Sequence, residues 1–274
     1  MTVPRVDADE APTRRFRGLW PDRLLRHRVP RWWEELVLIG IGYYLYREAR
    51  NLVPNQPILA HRNGRSVQWL QDRLHLNFEL SVNHFVDHNE WLAQVMDYYY
   101  ATMHFIVTIA VLVWLFVARA RVYRGLRTAL FATTLIGLAG FYLYPLAPPR
   151  LLPQYGYVDT LAKYHTWGSL ADPNVAEHTN QFAAMPSLHI AWAVWCAIAI
   201  IYCTRRWWVR ALAALYPVGT LMVIVGTANH FIIDAAGGLA VVAAGFAVQW
   251  LMSGRPAHVP APERPGEPVA VAQP

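Results

Sequence analysis

Charge is scarce in this chain: 15% of its 274 residues are Asp, Glu, Lys or Arg, against 55% hydrophobic, and mean hydropathy is +0.20. That balance excludes an ordinary water-soluble domain and points to a bundle embedded in a bilayer. Cysteine is nearly absent. Cys196 and Cys203 are the only two, and on one predicted helix they stand roughly 10 Å apart along the axis, beyond disulfide reach, so they say nothing of the redox compartment. A cleavable signal peptide is also missing, because an Arg-rich polar stretch precedes the first apolar run. That run reads as an uncleaved anchor.

Uncharged runs occupy about 98–118, 128–146, 183–203, 211–229 and 235–252, each near the roughly 20 residues that a helix needs to cross hydrocarbon. A sixth, at about 32–50, is weaker: Glu34, Glu35, Arg47, Glu48 and Arg50 crowd both ends of an apolar stretch from Leu36 to Tyr46. Its charged ends can snorkel. The sequence therefore predicts an all-α, integral membrane bundle of six transmembrane helices over 32–252. A basic N-terminal segment (1–31) precedes it, and a disordered Pro-rich tail (253–274) follows.

The net charge of +6 would suggest nucleic acid in a soluble protein, but here the arginines lie between spans, where insertion topology explains them and nucleic acid is not expected. Eight fall in the first 31 residues, and the short connectors carry Arg119, Arg121, Arg124, Arg127 and Arg205, Arg206, Arg210. These segments are expected in the cytoplasm, with both termini, and the membrane is expected to be the plasma membrane. The outer side then holds 51–97, 147–185 and the turn Thr227–Phe231. Over 65–80, Val67, Leu70, Leu74, Leu76 and Leu80 fall near helical spacing among polar residues, which suits an amphipathic helix on the outer membrane surface. A second is expected over about 83–97. Such helices either pack across the bundle mouth or gate lipid entry. In the last span Ala236, Ala240 and Ala244 repeat beside Gly237 and Gly245, a pattern that lets helices approach closely.

Three motifs fall at span ends, and the arginine-derived topology puts all three on the outer face. They are Tyr144-Pro145-Leu146-Ala147-Pro148-Pro149-Arg150, Pro186-Ser187-Leu188-His189 and Asn229-His230-Phe231-Ile232-Ile233-Asp234. His230 and Asp234 share a helix face, so the carboxylate can fix one imidazole nitrogen and leave the other for attack. An Asp in a membrane helix usually has a partner and a function. Ser187 and His189 sit at a helix start, where N–H groups and the dipole favour an anion such as phosphate. Arg150, stiffened by two prolines, can neutralise phosphoryl oxygens. Thr227 and Asn229 either bond phosphate or cap the turn. An oriented nucleophile, a second imidazole for proton transfer and donors for developing charge are the parts that phosphoryl transfer requires.

Other residues read more plainly. His104 in the second span is expected to be a packing or hydrogen-bonding histidine rather than a catalyst. His84 and His88 have no further metal ligand beside them, so no metal site and no cofactor are expected. Trp91 and Tyr98, Tyr99 and Tyr100 fit an outer interfacial belt, and Trp207 and Trp208 an inner one.

The three motifs resemble the type-2 phosphatidic acid phosphatase superfamily, and within it the inositol phosphorylceramide synthase-like branch, over roughly residues 60–250. In the superfamily the middle motif is Pro-Ser-Gly-His and the last ends in His-x-x-x-Asp. The resemblance implies that His230 is the nucleophile forming a phosphohistidine and His189 the general acid. Leu188 in place of the glycine, and Phe231 after the last histidine, resemble the synthase-like branch. The superfamily's first basic motif is absent, and Val223 and Ile224 stand where its Ser-Arg pair is usual, so Arg150 and Lys163 are the candidates to supply that charge. The resemblance implies a membrane lipid substrate and a phosphatase acting on a lipid phosphate or polyprenyl pyrophosphate. The alternative is a phosphotransferase moving a phospho-headgroup to a hydroxyl. A transporter without chemistry would leave the pairing of His230 with Asp234 unexplained.

Overall fold

The computed structural model describes residues 31–51, 56–76, 78–166 and 181–260. The basic segment before residue 31 and the tail beyond 260 lie outside them. Nine α-helices follow one another among the described residues: α1 Trp32–Asn51, α2 Pro57–Arg73, α3 Phe78–Asp87, α4 Glu90–Ala118, α5 Ala120–Leu143, the single turn α6 Thr160–Lys163, α7 Leu188–Cys203, α8 Trp207–Gly226 and α9 Ile232–Ser253. The described residues contain no strand beyond one isolated bridge, Leu146 to Ala183.

Four helices, α4, α5, α8 and α9, are long and apolar enough to cross a bilayer, and α7 is apolar but shorter. The protein is thus an all-α integral membrane protein. The helix expected over 83–97 is not one element: α3 ends at Asp87, and Asn89 accepts the Leu92 N–H at 3.1 Å to start α4. That cap lets α4 begin well before its uncharged run, where its first turns pack on α3 and α6.

α1 is not among the apolar spans, and Glu35 shows how it joins the bundle. This buried carboxylate accepts the Tyr123 hydroxyl at 2.8 Å and pairs with Arg127. Both partners lie near the start of α5, so α1 and α5 begin at the same end. Arg119 reaches that end too, donating from Nε to the Cys203 carbonyl at the close of α7. After α9, Gly254 adopts a left-handed conformation (φ 69°) and turns the chain back. The Ala257 carbonyl then lies 2.5 Å from where a Cβ on Gly125 would stand, and His258 stacks on Tyr202 at 4.0 Å. The tail expected to be disordered from 253 is therefore packed through its first residues. One end of the bundle is thus the arginine end, and the three motifs occupy the other.

α9 packs closely on α5. A Cβ on Gly245 would stand 2.7 Å from the Thr133 nitrogen and 2.8 Å from the Ala129 carbonyl. The buried stripe is Ala235, Gly238, Val242, Gly245 and Gln249, while Ala236 and Ala240 are exposed. The alanine repeat thus faces outward, and the close approach comes from glycines one step around the helix. α7 is buried on nearly every side, with Trp195 donating to the Leu126 carbonyl at 2.9 Å, which suits its unbroken apolar run.

Candidate active site

At the end opposite the arginines, the starts of α7 and α9 are tied together. Ser187 donates its N–H to the Asp234 carbonyl at 3.0 Å. The Asp234 carboxylate is fully buried, and its Oδ2 accepts the Phe231 N–H at 2.9 Å, so it both caps α9 and faces the histidine one turn earlier. His230 places Nδ1 2.9 Å from the Ala184 carbonyl and 3.3 Å from Asp234 Oδ2. Two acceptors at Nδ1 require the proton there, so in the neutral imidazole the lone pair is on Nε2. That atom is buried and has no hydrogen-bond partner.

His189, one residue into α7, faces His230 with ring centroids 5.5 Å apart. Tyr100 stacks on His189 at 4.3 Å, and His104 meets it edge-on at 4.2 Å. Of the residues expected in an interfacial belt, Trp91 and Tyr98 are exposed, whereas Tyr100 lies in the site and the Tyr99 hydroxyl bonds Thr220 at 3.0 Å. His104 packs as expected, and the ring it packs on is that of His189. Its Nδ1 lies 3.1 Å from the Tyr100 carbonyl, and the signal that could have found it is an ionisable group in an apolar span, one helical turn after an aromatic.

Arg150 is brought to the same loop. Its N–H donates to the Ala228 carbonyl at 2.9 Å, its Nε to Asn229 Oδ1 at 2.9 Å and its Nη1 to Asp159 Oδ2 at 2.9 Å. Asn229 donates in turn to Thr227 Oγ1 at 2.8 Å, and that hydroxyl donates to the Val223 carbonyl at 2.8 Å. Thr227 and Asn229 thus hold the turn and aim Arg150. Between them, buried Ala228 is held at φ 52°, a conformation that costs a non-glycine residue roughly 1–2 kcal/mol. Ser187 caps α7, with its hydroxyl 3.5 Å from the Ile190 N–H. Lys163 stands apart: it is half-exposed and pairs with Asp87 at 2.6 Å, which raises its pKa. The structure does not bring it to the histidines, because α6 directs it toward α3.

α2 and α3 grip the start of α9. Glu79 on α3 accepts the Ile232 N–H at 2.5 Å through Oε1, while its Oε2 receives Gln71 Nε2 at 2.9 Å and the Tyr157 hydroxyl at 3.4 Å. Gln71 Oε1 in turn accepts the Ile233 N–H at 3.4 Å. These are among the free N–H groups of the helix that follows His230. Burial pushes the Glu79 carboxyl up to about 7, and burial with the neighbouring Glu79 charge pushes the Tyr157 hydroxyl up as well. The sequence places Gln68 and Gln71 on a water-facing side of the helix. The structure buries them, and exposes Trp69 and Leu70 instead.

Among the described residues, no group of three or more His, Cys, Asp or Glu side chains is arranged to hold a metal ion. His84 Nε2 lies 2.8 Å from the Gly156 carbonyl and His88 Nδ1 lies 2.6 Å from the His84 carbonyl.

Leu188, where the resembled family has glycine, is buried against Gly137. A phosphoinositol dihydroceramide synthase from Bacteroides thetaiotaomicron is 33% identical to this chain, over 38% of the chain and 38% of that protein. The chain therefore spans well under half of that relative's length. No solved structure matches. The PAP2 superfamily matches residues 65–248, a segment that takes in Glu79, Arg150 and both paired histidines, and the chain belongs to that superfamily.

Proposed function

We propose that this protein is a six-span membrane enzyme that transfers a phosphoryl group from a lipid-linked phosphate through a phosphohistidine on His230. The observation that supports it is the state of His230: Nδ1 is held by Ala184 and Asp234, and Nε2 is buried without a partner. Nε2 attacks phosphorus, the bond from phosphorus to the leaving oxygen breaks, and His189 gives that oxygen a proton. An acceptor hydroxyl then loses its proton to His189, attacks phosphorus and frees Nε2. Arg150, with guanidinium donors beyond those given to Asn229 and Asp159, and the N-terminal end of α7 balance charge on the phosphoryl oxygens. The chemistry draws on histidine and arginine, so activity should survive chelation.

Water as acceptor makes the enzyme a phosphatase, the first reading of the sequence. The similarity to a phosphoinositol dihydroceramide synthase, together with Leu188 in the middle motif, favours the second reading, in which a lipid or polyol hydroxyl replaces water. The arginine end lies in the cytoplasm with both termini, and the histidines face outside across the plasma membrane. Incubating the purified protein with a labelled phospholipid donor, with and without a hydroxyl-bearing lipid acceptor, tests both. Label passing to the acceptor supports transfer, and free phosphate in both tubes supports hydrolysis. Neither product, with no acid-labile label on the protein, would sink the assignment.

A further inference from the structure

The outward side of α2 carries cationic and aromatic side chains that the reaction above leaves without a role. Arg62, Arg65, Trp69 and Arg73 recur at intervals of three and four residues, which sets them on one stripe of the helix. The Arg73 guanidinium lies over the Trp69 ring at 5.1 Å. Arg62 and Arg65 are exposed and have no ion pair among the described residues. Together with Ser66, Trp69, Leu70 and Tyr144 they line an open groove of about 530 Å³, within the range of roughly 300–1,000 Å³ usual for small-ligand sites.

The place of the groove along the bundle says what fills it. Tyr144 follows the last turn of α5, a span-length apolar helix whose closing residues Tyr142 and Leu143 are exposed. The groove therefore opens at the level where hydrocarbon gives way to headgroups. On α2, Ile58 is 87% and Trp69 57% exposed while Gln68 and Gln71 are buried, an arrangement that is backwards for water. It suits the interface, where Trp and Tyr settle and arginine stems lie in apolar surroundings with guanidinium groups at phosphate level. The opposite face of α2 is fixed: Gly64 seats on the Ala147 carbonyl, Asn63 donates to the Pro145 carbonyl at 2.9 Å, and Gln71 holds the Ile233 N–H. A ligand in the groove lies one helix away from the His230 turn.

We propose that this groove binds the phosphate of an anionic membrane phospholipid, held by Arg62 and Arg65 with Trp69 and Tyr144 against its glycerol and upper chains. Binding here does not depend on the reaction assigned to His230. The test titrates the full-length protein in detergent with dioctanoyl phosphatidylglycerol, dioctanoyl phosphatidylcholine and inorganic phosphate, read by native mass spectrometry. Wild type and His230→Ala should retain phosphatidylglycerol in preference to phosphatidylcholine. The double variant Arg62→Gln/Arg65→Gln should lose that retention by about thirtyfold, roughly fivefold for each surface arginine, with its melting temperature unchanged because both side chains are exposed. Arg62→Lys/Arg65→Lys should keep most of it. Unchanged retention in the glutamine pair, equal retention of phosphatidylcholine, or displacement by inorganic phosphate at matching concentration would overturn the site. Loss of the lipid in His230→Ala would place it at the histidines instead, and would overturn it too.

Discussion

Leu188 and Gly137 fit each other across α7 and α5: the leucine is buried, and a Cβ on Gly137 would stand 3.1 Å from its Cγ and closer still to one methyl. The position that is glycine in the resembled superfamily motif is therefore filled here, and the neighbouring helix leaves the room. Next to this pair, a Cβ on Gly140 would stand 2.5 Å from Pro186 Cδ. The residues on either side of Ser187 thus fix the height of His189 against α5.

This pairing predicts a compensating cycle. Gly137→Ala alone should overpack the contact and destabilise the protein by about 1–3 kcal/mol, and should lower activity by shifting His189. Leu188→Gly alone should leave a cavity and cost about 2–5 kcal/mol. The double variant should be more stable than the sum of the two losses, since the alanine then meets no leucine. Melting in detergent across the four proteins checks it, and strict additivity would show that the two side chains do not meet.

Glu79 predicts a pH signature. Its carboxyl lies at about 7 when folded, against 4.5 for the ordinary group, chiefly through burial. A group whose folded pKa is raised binds protons more tightly in the folded state. Its stabilising contribution is fully present below about pH 4.5 and is lost as the pH rises through about 7. Glu79→Gln, whose amide oxygen can still accept the Ile232 N–H, removes the titration. The melting temperature of wild type should therefore fall relative to Glu79→Gln between pH 5 and pH 7.5, and parallel profiles would dismiss the idea. Glu79→Ala should lower kcat at every pH, because the start of α9 loses its acceptor.

The sequence made four of the apolar helices, the histidine pair and the shared end of the three motifs legible for physical reasons. Long uncharged runs announce hydrocarbon, arginines announce one end, and a spacing of four joins His230 to Asp234. It did not reveal which way partly polar helices face. Gln71 and Glu79 lie on segments that read as amphipathic surface helices, and only the packing of α2 and α3 over the start of α9 turns those side chains inward. In α9 the alanine repeat and the stripe through Gly238 and Gly245 are equally small, so composition could not choose between them. Tyr100 and His104 were hidden by the same uncertainty of helix rotation. Lys163 was proposed from a missing family residue rather than from its own surroundings, where Asp87 already holds it.

The arrangement of ends predicts orientation. Glu35 with Arg127, and Ala257 against Gly125, place the start of α1 and the segment after α9 at the arginine end, which the positive-inside rule assigns to the cytoplasm. A reporter fused after Pro274 should report cytoplasm, and an epitope inserted between residues 167 and 180 should be labelled in intact cells. Protection of that epitope would put the histidines on the inner side and change the pool of lipids they can reach.

The two histidines should fail differently when the leaving group is changed. His230→Ala removes the nitrogen proposed to attack, so turnover should vanish on every substrate. His189→Ala removes the proposed proton donor, and such a donor typically contributes 10²–10⁴-fold when an alkoxide departs. A lipid phosphate with such a leaving group should suffer a loss of that order, while p-nitrophenyl phosphate, whose leaving oxygen is far more acidic, should regain much of the rate. Asp234→Asn should fall between the two histidine variants. Oδ2 accepts from both the Phe231 N–H and His230 Nδ1; an amide oxygen there preserves the cap but removes the charge that stabilises the imidazolium side of the reaction. His104→Ala should act through His189, lowering turnover more on the lipid phosphate than on p-nitrophenyl phosphate, because its ring meets His189. Acid-labile label from a radiolabelled donor should be trapped on wild type and on His189→Ala, but not on His230→Ala. Equal losses for both histidines on both substrates, with no trapped label in any variant, would show that the roles assigned to them are wrong.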